Sequence, residues 1–213
     1  MAELRNGPLG FISGKVGNVI AGNWRDISYL RGLSKRSTKE PTEQQLIARM
    51  KFSLALAFLA PIKEVVDLGF KNQYTGRMTA FNHSVKMNIE AVKGTFPDLL
   101  IDPAKIVLST GNLMRCADVV MDPTGPGIVT VSWGDLGQVK AQLATDIPTV
   151  VLYNPAKEVH ATYSGTARRG DYSMELEIPQ SFSGDEVHGY IFFTTATGDK
   201  NSKSVYLNPI TLA

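Results

Sequence analysis

Hydrophobic side chains alternate with glycine over the first thirty residues, and this is the most distinctive pattern of the chain. The many glycines let the backbone twist or be approached closely, whereas the large apolar residues among and after them need burial. These apolar residues are Leu9, Phe11, Ile12, Val16, Val19, Ile20, Trp24 and Tyr29. The pattern predicts a Gly-rich β arm with a basic connector over residues 1–40, and the arm must dock either on the rest of its own molecule or on another copy.

A helical periodicity follows and predicts a helical region over residues 41–101. Thr42 and Gln45 have the spacing of a reciprocal N-terminal cap, so we expect a helix over residues 43–59. Its apolar positions are so broadly distributed that most of its circumference should be covered. Shorter apolar stretches with proline and glycine at their ends predict two more helices, over residues 62–68 and 79–93.

From residue 102 the pattern changes to short β-rich runs separated by turn residues. The runs cover residues 106–108, 113–121, 128–133, 149–153, 159–163, 172–178, 187–194 and 205–212. This spacing predicts an antiparallel immunoglobulin-like or fibronectin-like β-sandwich over residues 102–213, with Trp133 between its two sheets. The predicted fold class is α+β, with an N-terminal β arm, a helical hairpin and a C-terminal sandwich.

Composition and charge place the chain among globular proteins. It has 213 residues, of which 43% are hydrophobic and 20% are charged, and this is enough for a proper core. The net charge of +2 is too small to indicate a nucleic-acid partner. The charge is uneven, because residues 1–60 carry +5 and the remaining residues carry −3. Opposite charges at the two ends favour either head-to-tail association of copies or contact between the two ends of one chain.

Cys116 is the single cysteine, so no internal disulfide can form, and a buried thiol is the favoured interpretation. We see no signal peptide and no apolar run long enough for a membrane span. The localisation stays open. It is extracellular or at the cell surface if the chain forms a filament, and cytoplasmic otherwise.

Motifs that would indicate a bound nucleotide or metal are incomplete. Residues 10–17 resemble a phosphate-binding loop, but three residues separate the glycines where four are needed, and Val16 replaces the hydroxyl residue. His83, His160 and His188 have no metal-ligand spacing. Pairs of acids in the sandwich loops could bind calcium but favour turns. We expect no metal and no cofactor.

Catalytic and nucleic-acid motifs are equally weak. Ser164 and Ser183 precede glycines, but they favour hairpin turns because the strand-to-helix turn that activates a serine is missing. The arginines beside Trp24 and Tyr29 could bind a phosphate backbone. We predict that they lie on the solvent-facing side of a strand pair whose other side carries Trp24, Ile27 and Tyr29. We expect no catalytic residue, no nucleic-acid partner and no small-molecule substrate.

A set of short motifs spans almost the whole chain. It includes Gly14-Lys-Val-Gly-Asn-Val, Trp24-Arg25, Tyr29-Leu-Arg31 and the closing Asn201-Ser-Lys-Ser-Val-Tyr206. The set resembles a family of uncharacterised proteins common in Bacteroidota. The resemblance implies a bacterial origin, and it implies no activity and no catalytic residue.

Two hypotheses of different classes follow. The preferred one is a non-enzymatic structural subunit that self-assembles into a fibre or surface assembly. Residues 9–20 of one copy would add as a strand to an open sheet edge of a neighbouring copy, and such a head-to-tail contact builds filaments. The alternative is a monomeric binding module that contacts a glycan or a protein through its sandwich loops, with the arm folded back onto the helices of its own chain. An enzyme is a third alternative without an identified site.

Overall fold

The computed structural model describes residues 2–4, 13–24, 27–35, 38–73, 78–134 and 143–212 of the chain. The chain divides into an N-terminal unit, Met1–Thr42, and a C-terminal unit, Glu43–Ala213. The first boundary therefore lies two residues beyond the expected end of the β arm, at the start of the first helix.

The N-terminal unit contains one antiparallel sheet. Its strands are β1 (Ala2–Leu4), β2 (Gly14–Val16), β3 (Val19–Trp24) and β4 (Ile27–Gly32), in the order β1-β4-β3-β2. Val16 pairs with Val19, so only two residues connect β2 to β3. Gly17 has a φ of +56°, which suits the tight two-residue turns of β-hairpins.

The C-terminal unit begins with three helices, α1 (Glu43–Leu59), α2 (Lys63–Gly69) and α3 (Ala80–Asn88). The amide of Asn82 donates a 3.0 Å hydrogen bond to the Thr79 hydroxyl, which caps α3. The helix expected over residues 79–93 ends early, because the chain turns into β5 (Val92–Thr95) and pairs with β6 (Asp98–Ile101). Gly94, the expected helix stop, lies inside this hairpin with a φ of +112°.

Seven strands then form two antiparallel sheets. They are β7 (Ala117–Gly125), β8 (Ile128–Gly134), β9 (Ile147–Asn154), β10 (Val159–Ser164), β11 (Ser173–Glu177), β12 (Glu186–Thr194) and β13 (Val205–Thr211). One sheet has the order β11-β8-β7 and the other β10-β9-β12-β13. A β-sandwich within an α+β fold, as predicted from the spacing of the runs, is therefore observed.

Two predicted details of these runs are wrong. Residues 106–108 form no strand, because the side chain of Asn88 binds the backbone of Val107 on both its N–H and its C=O. The run expected over residues 113–121 instead extends from Ala117 to Gly125. It passes through Pro123, which is tolerated because β7 is an outer strand of its sheet.

The sandwich core lies between the two sheets and includes Trp133, as predicted. Its indole ring packs edge-on against Phe193 with ring centroids 5.5 Å apart, and its N–H donates to the carbonyl of Arg169 at 2.9 Å. Other members of this core include Met121, Val131, Val150, Leu152, Leu176, Ile191 and Leu207. The buried indole therefore has both its apolar and its polar requirements satisfied.

A second core joins the helices to the outer face of the four-stranded sheet. Phe58, Leu59, Val66 and Phe70 from the helical segment belong to one cluster with Val151, Tyr190 and Phe192 from β9 and β12. Both faces of these central strands are thus buried, which is why their sequences are nearly continuous apolar runs. The helical region and the sandwich, expected over residues 41–101 and 102–213, share one unit.

The broad coverage predicted for α1 is wrong within the described structure. Only Ala55, Phe58 and Leu59 are buried, whereas Phe52 is 50% exposed and Leu56 is also exposed. The buried residues occupy one side of the C-terminal half of the helix. Leu46, Phe52 and Leu56 remain exposed, so part of the apolar surface of α1 is left uncovered.

Candidate interaction surface

The sheet of the N-terminal unit has apolar side chains on both faces, because alternate residues of a strand point to opposite sides. The pairing of β2, β3 and β4 places Val16, Val19, Ala21 and Leu30 on one side, which we call the valine face. The other side, which we call the aromatic face, carries Ile20, Trp24, Ile27 and Tyr29 together with Lys15 and Arg31. Neither face is purely polar.

Little of this apolar surface is buried. Among the described residues of the N-terminal unit whose burial is defined, only Ala21 and Ser28 are buried. Val16 is 75% exposed, Val19 is 44% exposed and Trp24 is 46% exposed. A sheet with apolar residues on both faces normally has both faces covered. The described part of this unit therefore has a surface that suits contact with a partner.

The sequence-predicted interface residues separate into three groups. Val16 and Val19 lie on the valine face, and Ile20, Trp24 and Tyr29 lie on the aromatic face. The remaining three, Leu9, Phe11 and Ile12, lie outside the described residues. The structure thus brings the described members onto one sheet but divides them between its two sides.

Two details of the predicted interface need correction. Val19 and Ile20 belong to β3, which pairs with β2 on one side and β4 on the other, so their backbone cannot add to a neighbouring sheet edge. The arginines were expected on the side opposite Trp24, Ile27 and Tyr29. Arg31 instead shares the aromatic face with Tyr29, because the two residues are two positions apart on β4. Arg25 lies outside the described residues.

Charge differs between the two units. The N-terminal unit carries seven basic and three acidic residues, a net charge of +4, and the C-terminal unit carries −2. Lys15 and Arg31 place part of the positive charge directly on the aromatic face. A surface that combines apolar groups with acidic or hydrogen-bonding groups would therefore complement this face.

The C-terminal unit contains buried reactive and charged side chains. Cys116 is one of them, and it is buried as expected. Burial raises the pKa of its thiol to about 11, so the thiol stays protonated near neutral pH and is a poor nucleophile. Close by in the sandwich, Arg169 and Asp146 form a buried pair with 3.4 Å between Nε and Oδ2. The guanidinium also lies 4.1 Å from the centroid of the Phe193 ring. Both features lie in the core and suit a structural role.

One of the serines considered as nucleophile candidates, Ser164, has another partner. The hydroxyl of Ser164 lies 3.1 Å from that of Thr149, and His188 Nδ1 lies 2.7 Å from the Tyr206 hydroxyl. In the part of the chain that the structure describes, no group of three His, Cys, Asp or Glu residues could hold a metal ion.

Sequence reasoning missed a row of rings across the four-stranded sheet. The register places Tyr153 opposite both His160 and His188, with ring centroids 4.8 Å and 6.4 Å apart. His188 in turn stacks on Tyr206 at 5.9 Å. The histidines are 28 positions apart in sequence, so only the pairing of strands β10, β9 and β12 brings them together. In the sequence, the alternation of each histidine with apolar neighbours was the signal that could have placed both rings on the sheet.

Most of the described architecture lies within a single sequence family. A profile described as "Family of unknown function (DUF6266)" matches residues 11–208. The chain belongs to this family. The DUF6266 match covers both units, so the N-terminal sheet and the sandwich are parts of one conserved arrangement of sequence, and the match itself assigns no activity.

Solved structures similar to this DUF6266 protein are distant. The fn3 domain of human collagen alpha-1(XX) is 16% identical, with 49% of this chain and 91% of that chain covered and a TM-score of 0.35. The fn3 domain of human contactin 1 is 10% identical, with 49% and 83% covered and a TM-score of 0.28. No curated protein matches the chain. The sandwich assignment therefore rests on the strand order itself.

Among the described residues, no helix is both long enough and apolar enough to cross a bilayer.

Proposed function

We propose that this DUF6266 protein is a non-enzymatic structural subunit that assembles with copies of itself through its N-terminal sheet. The observation that carries the proposal is the exposure of Val16, Val19 and Trp24 on a sheet that is apolar on both faces. Fully burying a large apolar side chain contributes about 1.5–3 kcal/mol. Covering several of these side chains with a neighbouring copy would therefore favour association strongly.

The strand order of the sheet limits which of its strands could pair with a strand of a neighbouring copy. Within its described strands, β1 and β2 are the outer ones, and one side of each has no strand partner there. Unpaired N–H and C=O groups on such an edge can pair with a strand of another chain. We therefore expect a strand of the neighbouring copy to pair with β1 or β2. Strand β3 is paired on both sides, so it can contribute only its side chains.

The direction of growth follows from the two kinds of surface. A basic N-terminal unit that meets a more acidic C-terminal unit of the next copy makes a contact between different patches. Such a contact extends into a filament unless its rotation happens to close a ring. The proposed assembly is therefore a fibre or a surface array.

The size of the full-length protein across a concentration series tests this proposal. We expect light scattering and electron microscopy to show growing assemblies for the wild type. Val16→Thr, which keeps the β-branched shape but adds a hydroxyl, should assemble only at higher concentration. Val120→Thr is the matched control, because Val120 is also exposed but lies on β7 of the C-terminal unit. A wild type that stays monomeric at every concentration contradicts the proposal, as do equal effects of the two substitutions.

A groove at one end of the sandwich favours the second candidate function, a monomeric binding module. It has a volume of about 380 Å³ and is formed by the β7–β8 turn and the segment after β11. Its walls include Pro123, Pro126, Ile128, Ile178, Pro179 and Leu212. If the protein stays monomeric, chemical-shift changes around Ile128 on adding glycans or proline-rich peptides would support this function instead.

A further inference from the structure

A pocket of about 140 Å³ lies within the C-terminal unit, between α1 and the strands β9 and β10. Its walls include Leu54, Phe58, Ile101, Tyr153, Glu158 and His160. Phe58 packs edge-on against both Tyr153 and His160, with centroids 4.8 Å and 4.7 Å apart. The result is a mostly apolar and aromatic cavity with one imidazole and one carboxylate.

His160 is the unusual member of this pocket. Both of its ring nitrogens are buried, and neither has a hydrogen-bond partner in the described structure. Burial lowers the pKa of His160 to about 4, so the ring is neutral near pH 7 and offers one N–H donor and one acceptor. Leaving such groups unsatisfied costs about 1–3 kcal/mol each. Both nitrogens lack accessible surface, so a partner that covers the pocket would contact its apolar and aromatic walls rather than these nitrogens.

The residues around the pocket are also apolar or acidic. Leu46, Met50 and Leu54 follow one another at four-residue intervals on α1 and are at least partly exposed, so an apolar stripe leads along the helix to the pocket. Glu158 is exposed and sits in the turn before β10 with a φ of +54°. The pocket therefore combines an apolar approach, an aromatic wall and a negative charge.

We infer that this pocket, which we call the His160 pocket, receives the aromatic face of the N-terminal unit of a second copy. The inference deepens the proposed self-assembly and rests on it. The aromatic face offers the matching features, which are the apolar side chains of Ile20 and Ile27 and the cations Lys15 and Arg31.

Charge complementarity selects this occupant over a free small molecule. Glu158 presents a carboxylate where the aromatic face presents Arg31, and the units that carry them have net charges of −2 and +4. Complementary charges speed association and set the register of an interface. Both halves of the proposed contact are present on every copy, so each copy can bind one neighbour and be bound by another.

Charge reversal on the full-length protein tests the inference. Arg31→Glu and Glu158→Lys should each raise the concentration at which assembly occurs, by about tenfold if each substitution costs about 1.4 kcal/mol. Mixing the two variants should restore assembly to near the wild-type concentration, because each variant then meets its complementary charge on the other. Glu177→Lys, on the exposed surface of β11, is the matched control and should have little effect.

His160→Phe adds a second, independent variant. It keeps an aromatic ring against Phe58 and Tyr153 and removes two nitrogens that a partner cannot reach, so the fold and the assembly concentration should both be retained. If the wild type assembles but the charge variants assemble equally well, or their mixture does not recover, the inference is wrong and the proposed function stands. If the wild type does not assemble at all, the proposed function itself is wrong.

Discussion

The ring of Tyr29 lies against the backbone of Gly22, its cross-strand partner on the aromatic face. A Cβ atom built on Gly22 would come within 2.9 Å of the Tyr29 hydroxyl oxygen and 3.0 Å of Cζ. Glycine at this position therefore lets an aromatic side chain cover the strand where another residue would hold it away. The contact fixes the orientation of a tyrosine that is central to the proposed interface.

Gly22→Ala should displace this ring and weaken the sheet of the N-terminal unit. Because the atoms in the way are the end of a partly buried side chain, we expect a loss of about 0.5–1.5 kcal/mol, the cost of moving the ring off its rotamer. Hydrogen exchange followed by mass spectrometry should show faster exchange of the β3 and β4 amides. Gly32→Ala is the control on the same strand pair, because a Cβ there meets nothing within 4 Å. Equal exchange in the two variants would contradict the role of the Tyr29 contact.

The fold was largely predictable where short-range patterns decide it. The bounds of α1 were predicted correctly, and six of the expected strands match observed ones closely, because periodicity and turn residues act locally. The β5–β6 hairpin was missed because its residues continue the apolar spacing of the preceding helix. The placement of the helices on the sheet was missed because it depends on packing between segments distant in sequence.

The candidate interface was only partly predictable for a similar reason. Apolar residues among glycines indicated a docking segment, but the division into two faces follows from the register of β2, β3 and β4. That register also places Arg31 beside Tyr29. His160 was dismissed as isolated, and only strand pairing brings it to Tyr153 and Phe58.

The stability of the protein should fall as the pH decreases below about 6.5. Burial lowers the pKa of His160 from 6.5 to about 4, so the unfolded chain binds more protons than the folded chain between these values. The contribution is complete above pH 6.5 and is lost toward pH 4, amounting to about 3 kcal/mol. Burial also lowers the pKa of His188, which acts in the same direction.

Urea unfolding at several pH values between 4 and 7.5 measures this dependence. His160→Phe should flatten the pH profile because it removes the titrating group while keeping a ring in the pocket. The residual slope should then reflect His188 and the carboxyl groups. Superimposable profiles for the variant and the wild type would show that His160 is not buried in the neutral form.

Replacing one member of the buried pair of Arg169 and Asp146 should lower the free energy of unfolding more than replacing both members. Burial raises the pKa of Asp146 and lowers that of Arg169, and their mutual attraction offsets these effects only in part. Asp146→Leu leaves the guanidinium buried without its partner charge, and we expect a loss of about 3–5 kcal/mol. Adding Arg169→Met should recover part of that loss.

A double-mutant cycle based on urea unfolding measures this coupling. Recovery should be incomplete, because Arg169 also donates a 2.5 Å hydrogen bond to the carbonyl of Met114. A double variant that is less stable than Asp146→Leu alone would mean that the arginine stabilises the fold without needing its carboxylate.

Asn88 should be essential for joining α3 to the segment before the sandwich. Its side-chain amide donates to the carbonyls of Ser84 at 2.9 Å and Val107 at 2.8 Å, and its oxygen accepts from the Val107 amide at 2.7 Å. Asn88→Leu would leave both Val107 groups without these bonds in the interior, so we expect a loss of about 2–5 kcal/mol. Asn82→Leu, on the exposed side of α3, is the control and should change the urea midpoint little. If both substitutions shift the midpoint equally, the loss reflects the helix itself rather than the bonds to Val107.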